Sequence, residues 1–253
     1  MKKIIDLSLP LENNASEPFP PEITYKGHRD GAERLGKLAG ISPSDFPDDM
    51  GLATEKINLT SHSGTHVDAP WHYGPESNGK KSLTVDKIPL EWCYGPGVKL
   101  DFRYKEPGSE ISVDDIKGVL NKINYTIKGR DIILIETGTD KYWGTDQYLS
   151  HQCGLSAGGT AWLLEHGVKC IGIDAWGMDR PVSKMAEAHR RGEKNALWPS
   201  HFYGRKHPYL QIEKMANLDL LPPYGFIICA FPVKISKASA GWCRAVAIVE
   251  VND

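Results

Sequence analysis

The chain has 253 residues, a formal net charge of −2, and 30 basic side chains set against 32 acidic ones. That length is most simply one domain, residues 1–253, with room for a substantial core. The basic residues are scattered and no apolar run approaches transmembrane length, so neither nucleic acid nor a membrane is expected as a partner, whereas a small soluble molecule is.

Five cysteines, Cys93, Cys153, Cys170, Cys229 and Cys243, form no C-x-x-C pair, and Cys170 and Cys229 lie in apolar runs. Reduced thiols in a cytoplasmic protein are expected. Asp6 and Pro10 interrupt the apolar N-terminal stretch, which argues against a signal peptide.

Lys3 to Leu9 reads as a first strand, ended by Pro10. Leu11 to Gly51, rich in Pro, Asp, Gly and charge, reads as a long excursion with little regular structure, serving as a lid, a subunit contact or a plain surface insertion. Glu55 to Thr60 alternates polar and apolar residues and is expected to carry the chain as a strand into Ser61–His72. Val98 to Phe102 reads as a short strand. Ser112 opens a helix running through Asn121, with a Ser-x-x-Asp start and Val113, Ile116, Val119 and Leu120 on one face. Asp131 to Thr137 and Lys169 to Asp174 are nearly continuous apolar runs, hence buried strands. Arg180 to Pro199 is charged and reads as a solvated helix or loop. Tyr209 to Asn217 reads as a helix or turn, and Phe226 to Phe231 and Arg244 to Val251 as closing strands. Together these elements make an α/β domain with a mixed sheet and few helices.

Ser61 to His72 reads S-H-S-G-T-H-V-D-A-P-W-H and holds three of the nine histidines of the chain. On an extended backbone His62, His66 and Asp68 point the same way, and residues two apart stand roughly 6.5 Å apart at their bases. An imidazole and a carboxylate can then lean together onto one ion. Gly64 supplies a bend that brings His62 into reach and, lacking a side chain, leaves room for substrate or water. Pro70 turns the chain and sets His72 beside the cluster. Imidazoles with one carboxylate suit a borderline divalent cation, Zn²⁺ or Mn²⁺.

Gly154-Leu-Ser156-Ala-Gly158 matches the G-x-S-x-G nucleophile elbow, which needs a buried strand immediately before the serine. The preceding T-D-Q-Y-L-S-H-Q-C has no strand pattern, so Ser156 is expected instead as the N-cap of a helix stopped by Gly167.

The stretch from His62 to His72 resembles the H-x-G-T-H-x-D-x-P-x-H signature of the cyclase family, which includes metal-dependent bacterial kynurenine formamidases and isatin hydrolases. Every fixed position is present. The resemblance implies a swivelling β/β/α architecture that assembles as a homodimer or homotetramer. It also implies that a later histidine and glutamate complete the metal site, for one ion or two. His201 and Glu213 match best, with His207 as competitor for the histidine. Gly172-Ile-Asp174 followed by Asp179 recurs in the family, and these aspartates are expected either to hydrogen-bond at a strand end or to act in catalysis. Gly241-Trp242-Cys243 departs from the family's ending and leaves the contacts of Arg244 open.

The resulting expectation is a metal-dependent hydrolase of an amide or related acyl bond: an aryl formamide, a cyclic amide such as isatin, or a lactone. His62, His66 and Asp68 hold the cation, and His72 serves as general base and proton donor. A metal-dependent lyase or cyclase on the same site and a non-catalytic metal-dependent binding protein are the alternatives. Trp71 and Trp176 are candidates for substrate contact, with Trp242 and Phe46 as further aromatic candidates.

Overall fold

The computed structural model describes residues 1–13 and 16–250. Its centre is a nine-stranded sheet: β1 (Lys2–Asp6), β2 (His66–Asp68), β3 (Tyr94–Asp101), β4 (Ile132–Glu136), β5 (Cys170–Ile173), β6 (Leu210–Glu213), β7 (Tyr224–Cys229), β8 (Ala240–Trp242) and β9 (Val246–Glu250). The hydrogen-bonded order is β1-β9-β7-β3-β4-β5-β6-β2-β8. The four strands β3 to β6 run parallel to one another, and the pairings on either side of them are antiparallel.

The apolar runs of β4 and β5 are buried on both faces, as strands in the parallel part of a sheet must be. Ile132 and Leu134 enter one core, with Val67, Leu210, Ile212, Phe226 and Ala247. Their alternates Ile133 and Ile135 enter the other, beneath Ile116, Val119 and Leu120 of α3 (Val113–Lys122) and Leu163 and Leu164 of α4 (Ala157–Glu165). The capping box of α3 forms as its Ser-x-x-Asp start requires, with Ser112 Oγ accepting from Asp115 N.

The sheet is curled. Only Cys243, Arg244 and Ala245 separate β8 from β9, yet β8 ends the hydrogen-bonded order at one edge and β9 stands next to the opposite edge. Three residues span about 10 Å, so the two edges approach each other. Past β1 the chain crosses the same gap: Ala216 N donates to Leu7 O at 3.0 Å, and Leu9 N donates to Thr65 Oγ1 at 2.8 Å. Arg244 clamps the seam on its outer side with two hydrogen bonds to Asp6, 2.8 and 2.7 Å long.

Three expectations are corrected. The described residues of the excursion between Leu11 and Gly51 hold a strand at Glu22–Lys26 that pairs with Thr54–Asn58 and a helix α1 (His28–Ala39). Tyr209 to Asn217, expected as a helix or turn, begins instead as β6, buried between β5 and β2. The Thr54–Asn58 strand stops before the histidine motif, belongs to that separate two-stranded sheet, and leaves β2 only three residues long.

Candidate metal centre

The motif crosses a bend before it joins the sheet. Gly64 takes φ +57°, a left-handed conformation that costs L-residues free energy. The turn folds His62 back until its Nδ1 lies 3.3 Å from His66 Nε2. The space a Cβ at Gly64 would fill is occupied by Leu11, whose Cδ2 would lie 2.5 Å away, so the glycine makes the bend and does not open room for substrate. Pro70 starts the single turn α2 (Pro70–Tyr73) and places His72 Nε2 3.9 Å from Asp68 Oδ2. On the neighbouring strand Glu213 is paired in register with His66. His201 comes from α6 (Pro199–Tyr203), and its Nε2 lies 3.4 Å from Glu213 Oε1 and 3.8 Å from Asp68 Oδ2. His207 is exposed and stacks on Tyr203, away from the cluster.

The tautomers follow from the outer contacts. His66 Nδ1 lies 2.8 Å from Gly64 O, an acceptor only, so this nitrogen carries the hydrogen and Nε2 faces inward. His201 Nδ1 donates to Asp179 in the same way, and Ser200 N fixes the other oxygen of that carboxylate at 2.7 Å. His62 Nε2 meets Ser239 Oγ at 2.9 Å, which turns Nδ1 to the cluster. Five side chains, His62, His66, Asp68, His201 and Glu213, thus bring nitrogen or oxygen atoms together around Asp68 and Glu213.

Asp68 decides what belongs there. Its residue is fully buried, and neither carboxylate oxygen receives a hydrogen bond from the described residues. His62 Nδ1 and His66 Nε2 stand 2.9 and 3.3 Å from Oδ1, but not as aligned donors. Donors about 2.1 Å from a common cation stand roughly 3.4 Å apart around a tetrahedron. The separations in the cluster, from 2.9 Å for His62–Asp68 to 3.8 Å for His201–Asp68, bracket that distance. Two overlapping groups, His66–Asp68–Glu213 and His62–Asp68–His72, each bring three ligand atoms within 4.8 Å of one another and share Asp68.

Charge points the same way. Burial pushes the Asp68 carboxyl up, but His72, His66 and His62 more than reverse this and hold it well below the usual carboxylate range. Burial and the charge of Asp68 push Glu213 up. Burial lowers His201, and the hydrogen bond and charge of Asp179 outweigh it, leaving the imidazole at about 9. His72 is lowered to about 4 by burial and by neighbouring imidazoles. It is therefore a neutral base at ordinary pH.

The cluster opens into a cavity of about 470 Å³ lined by Trp176, Trp198, Met185, Phe19, Arg180 and Lys214 among others. Trp176 is on this wall. Trp71 is not; it lines a separate depression with Lys81 and Lys87. Trp242 donates its indole N–H to Thr60 O at 2.7 Å and buttresses the start of the motif. Phe46 packs near Gly36 of α1 and does not line the cavity. Ser156 caps α4, accepting from Gly159 N at 3.0 Å. Asp174 serves the strand end: it accepts from Thr137 N, Thr137 Oγ1 and Gly138 N, binding the exit of β4 to that of β5.

The contribution of residues 180–200 was not legible as a site. Helix α5 (Val182–Arg190) buries Met185 and Ala188, and with Trp198 this charged segment furnishes cavity wall. The amphipathic spacing of Met185 and Ala188 was the available signal. The buried Lys214, bonded to His62 O at 2.7 Å and paired with Glu17 at 3.1 Å, announced itself by no pattern, since Glu17 lies far away in sequence.

With the geometry in place, the comparisons are decisive about family. The model described as Putative cyclase matches residues 5–180. The chain belongs to this family. A kynurenine formamidase of Erythrobacter litoralis is 28% identical over 194 residues, covering 76% of this chain and 74% of its own. One from Bacillus mycoides is 24% identical over 247 residues, covering 96% and 95%. Among solved structures, an isatin hydrolase bound to the product analogue thioisatinate superimposes with a TM-score of 0.77 at 22% identity, over 99% of this chain and 93% of that one. This cyclase-family chain has the mixed α/β fold expected of it, and the structure adds the curl of the sheet.

Proposed function

We propose that this chain, acting as one domain, is a metal-dependent hydrolase that cleaves an amide or related acyl bond, in an aryl formamide, a cyclic amide such as isatin, or a lactone. One observation carries the proposal: a fully buried carboxylate, Asp68, with no aligned hydrogen-bond donor among the described residues and ringed by imidazoles and a second carboxylate. Burying such a charge is costly unless a cation compensates it. The similarity to kynurenine formamidases and to an isatin hydrolase supports the choice of reaction.

His62, His66, Asp68, His201 and Glu213 would hold the cation, zinc or manganese, in one or two equivalents. When bound, it supplies Lewis-acid polarisation of the carbonyl and acidifies a water molecule. The remaining work falls to side chains. His72, neutral and a third open to the cavity, takes the proton of the attacking water and delivers it to the departing nitrogen or oxygen. Water oxygen bonds to the acyl carbon, the C–N or C–O bond breaks, and the products are an acid and an amine or alcohol. Asp179 holds His201 so that its Nε2 lone pair points inward. Trp176 and Trp198 offer flat apolar walls for an aromatic acyl or amine group.

The reading extends to a cytoplasmic location, supported by five free cysteines. It extends also to a homodimer or homotetramer, supported by Tyr25 and Leu38, which the excursion leaves exposed. Hydrolysis is tested by product analysis in ¹⁸O-labelled water with formamide, isatin and lactone substrates. Solvent oxygen in the acid product is expected; a product without it would indicate a lyase or cyclase.

A further inference from the structure

The bend that carries His62 turns on a glycine, and a glycine does not hold a bend by itself. Gly64 reaches φ +57° without steric cost but has the widest choice of other conformations. Packing holds His62 less than the other imidazoles of the cation set, since 27% of its side chain is open against none of His66 and 10% of His201. Two buried charges grip the bend instead. Glu17 Oε1 accepts from Gly64 N at 2.8 Å, and Glu17 Oε2 pairs with Lys214 Nζ at 3.1 Å. Lys214 Nζ in turn donates to His62 O at 2.7 Å. Carboxylate and ammonium thus close a ring on the backbone of His62, Ser63 and Gly64. Glu17 comes from the excursion, which is anchored nearby: Glu12 Oε1 accepts from the Trp143 indole and Ser16 Oγ from Gly144 N, both at 2.6 Å.

The backbone is strained to supply the ammonium. Lys214 has φ +57°, a left-handed conformation that is costly for a residue with a side chain. It directly follows Glu213 at the end of β6, where neighbours on a regular strand would point to opposite faces. With this turn both side chains line the cavity. A glycine would adopt the conformation freely but would bring no charge. A buried ion pair stabilises a fold no better than packed apolar side chains do, so the strain and the burial call for another task. Bonds from charged groups to the bend are the short, strong kind. Because Glu17 balances Lys214, the clamp adds no net positive charge beside the cation site.

We infer that Glu17 and Lys214 are a positioning pair that locks the bend from His62 to Gly64 and so keeps His62 in reach of the cation. The excursion is then a working part of the site. The inference rests on the cation-site part of the reading above and not on the reaction.

Zinc affinity, measured by chelator competition, tests this in wild type, in Glu17→Gln/Lys214→Met, in His62→Ala and in the combination of all three. The paired substitution keeps side-chain size and leaves no buried charge without its partner. It is expected to weaken zinc binding about tenfold or more. In the His62→Ala background the same pair should add less than about twofold, because its effect runs through His62. Circular dichroism and melting in chelator identify the folded variants. Glu17→Gln alone, which keeps the shape and an acceptor for Gly64 N, is judged by the same criteria if the paired variant does not fold. Zinc affinity within about twofold of wild type, or an equal loss in both backgrounds, is the mark of a merely structural pair and overturns the inference. Wild type that binds no zinc removes the inference and the cation site together. Turnover of formamide and isatin substrates, assayed separately, bears on the reaction alone.

Discussion

Replacing Asp179 by Asn removes a charge from beneath His201 while keeping the shape of the side chain. In the metal-free protein the His201 imidazole titrates at about 9, against an ordinary value of 6.5, and Asp179 is the main reason it is raised. A folded-state pKa above the unfolded value stabilises the fold fully below about pH 6.5, and that contribution disappears as pH rises through 9. Some 2.5 pH units at 1.36 kcal/mol each give about 3 kcal/mol as an upper order of magnitude. In chelator, urea denaturation of wild type from pH 6.5 to 9.5 should show stability falling by a large part of that amount. Asp179→Asn should show a nearly flat profile that starts lower. Because the carboxylate also orients His201 Nε2, cation affinity measured by chelator competition should drop about 10- to 100-fold. Parallel pH profiles together with equal affinities would refute the role given to Asp179.

Further substitutions separate the remaining roles. His72→Ala should retain the cation and lose about 10²- to 10⁴-fold in turnover; unchanged turnover would reject it as base. Ser156→Ala removes an N-cap and should cost about 1 kcal/mol of stability in thermal denaturation with kcat unaltered, whereas a collapse of kcat would revive the nucleophile elbow. Gly64→Ala forces an L-residue to φ +57° and should cost about 1–2 kcal/mol. It should also weaken cation retention through His62, and both effects are readable by melting and elemental analysis.

The part of the site legible in the sequence is the part that is local in the chain. His62, His66, Asp68 and His72 lie within eleven residues, and a glycine and a proline between them dictate the bend and the turn. Glu213 was found by resemblance while its secondary structure was misread. Ile212, Met215 and Ala216 have helical spacing, and β6 exists because β5 and β2, distant in sequence, flank it on both sides. Helix α1 was hidden by Gly31 and Gly36, which lower helix propensity. The structure shows why one of them is there: a Cβ on Gly31 would lie 2.3 Å from Leu52 O, so α1 packs directly on backbone. The curl of the sheet follows from the short β8–β9 connection, which becomes informative only once the strand order is known. Asp179 was visible as a recurring aspartate, but its service to His201 depends on how two loops meet in space.

The central claim is that the cluster around Asp68 is a cation site, and elemental analysis tests it most directly. Purified wild type, His66→Ala and Asp68→Ala would be compared after supplementation with zinc or manganese. One to two equivalents per chain in wild type, lost in both variants while the fold is kept, is the expected result. Wild type that holds no metal after supplementation, or variants that retain it, would contradict the account.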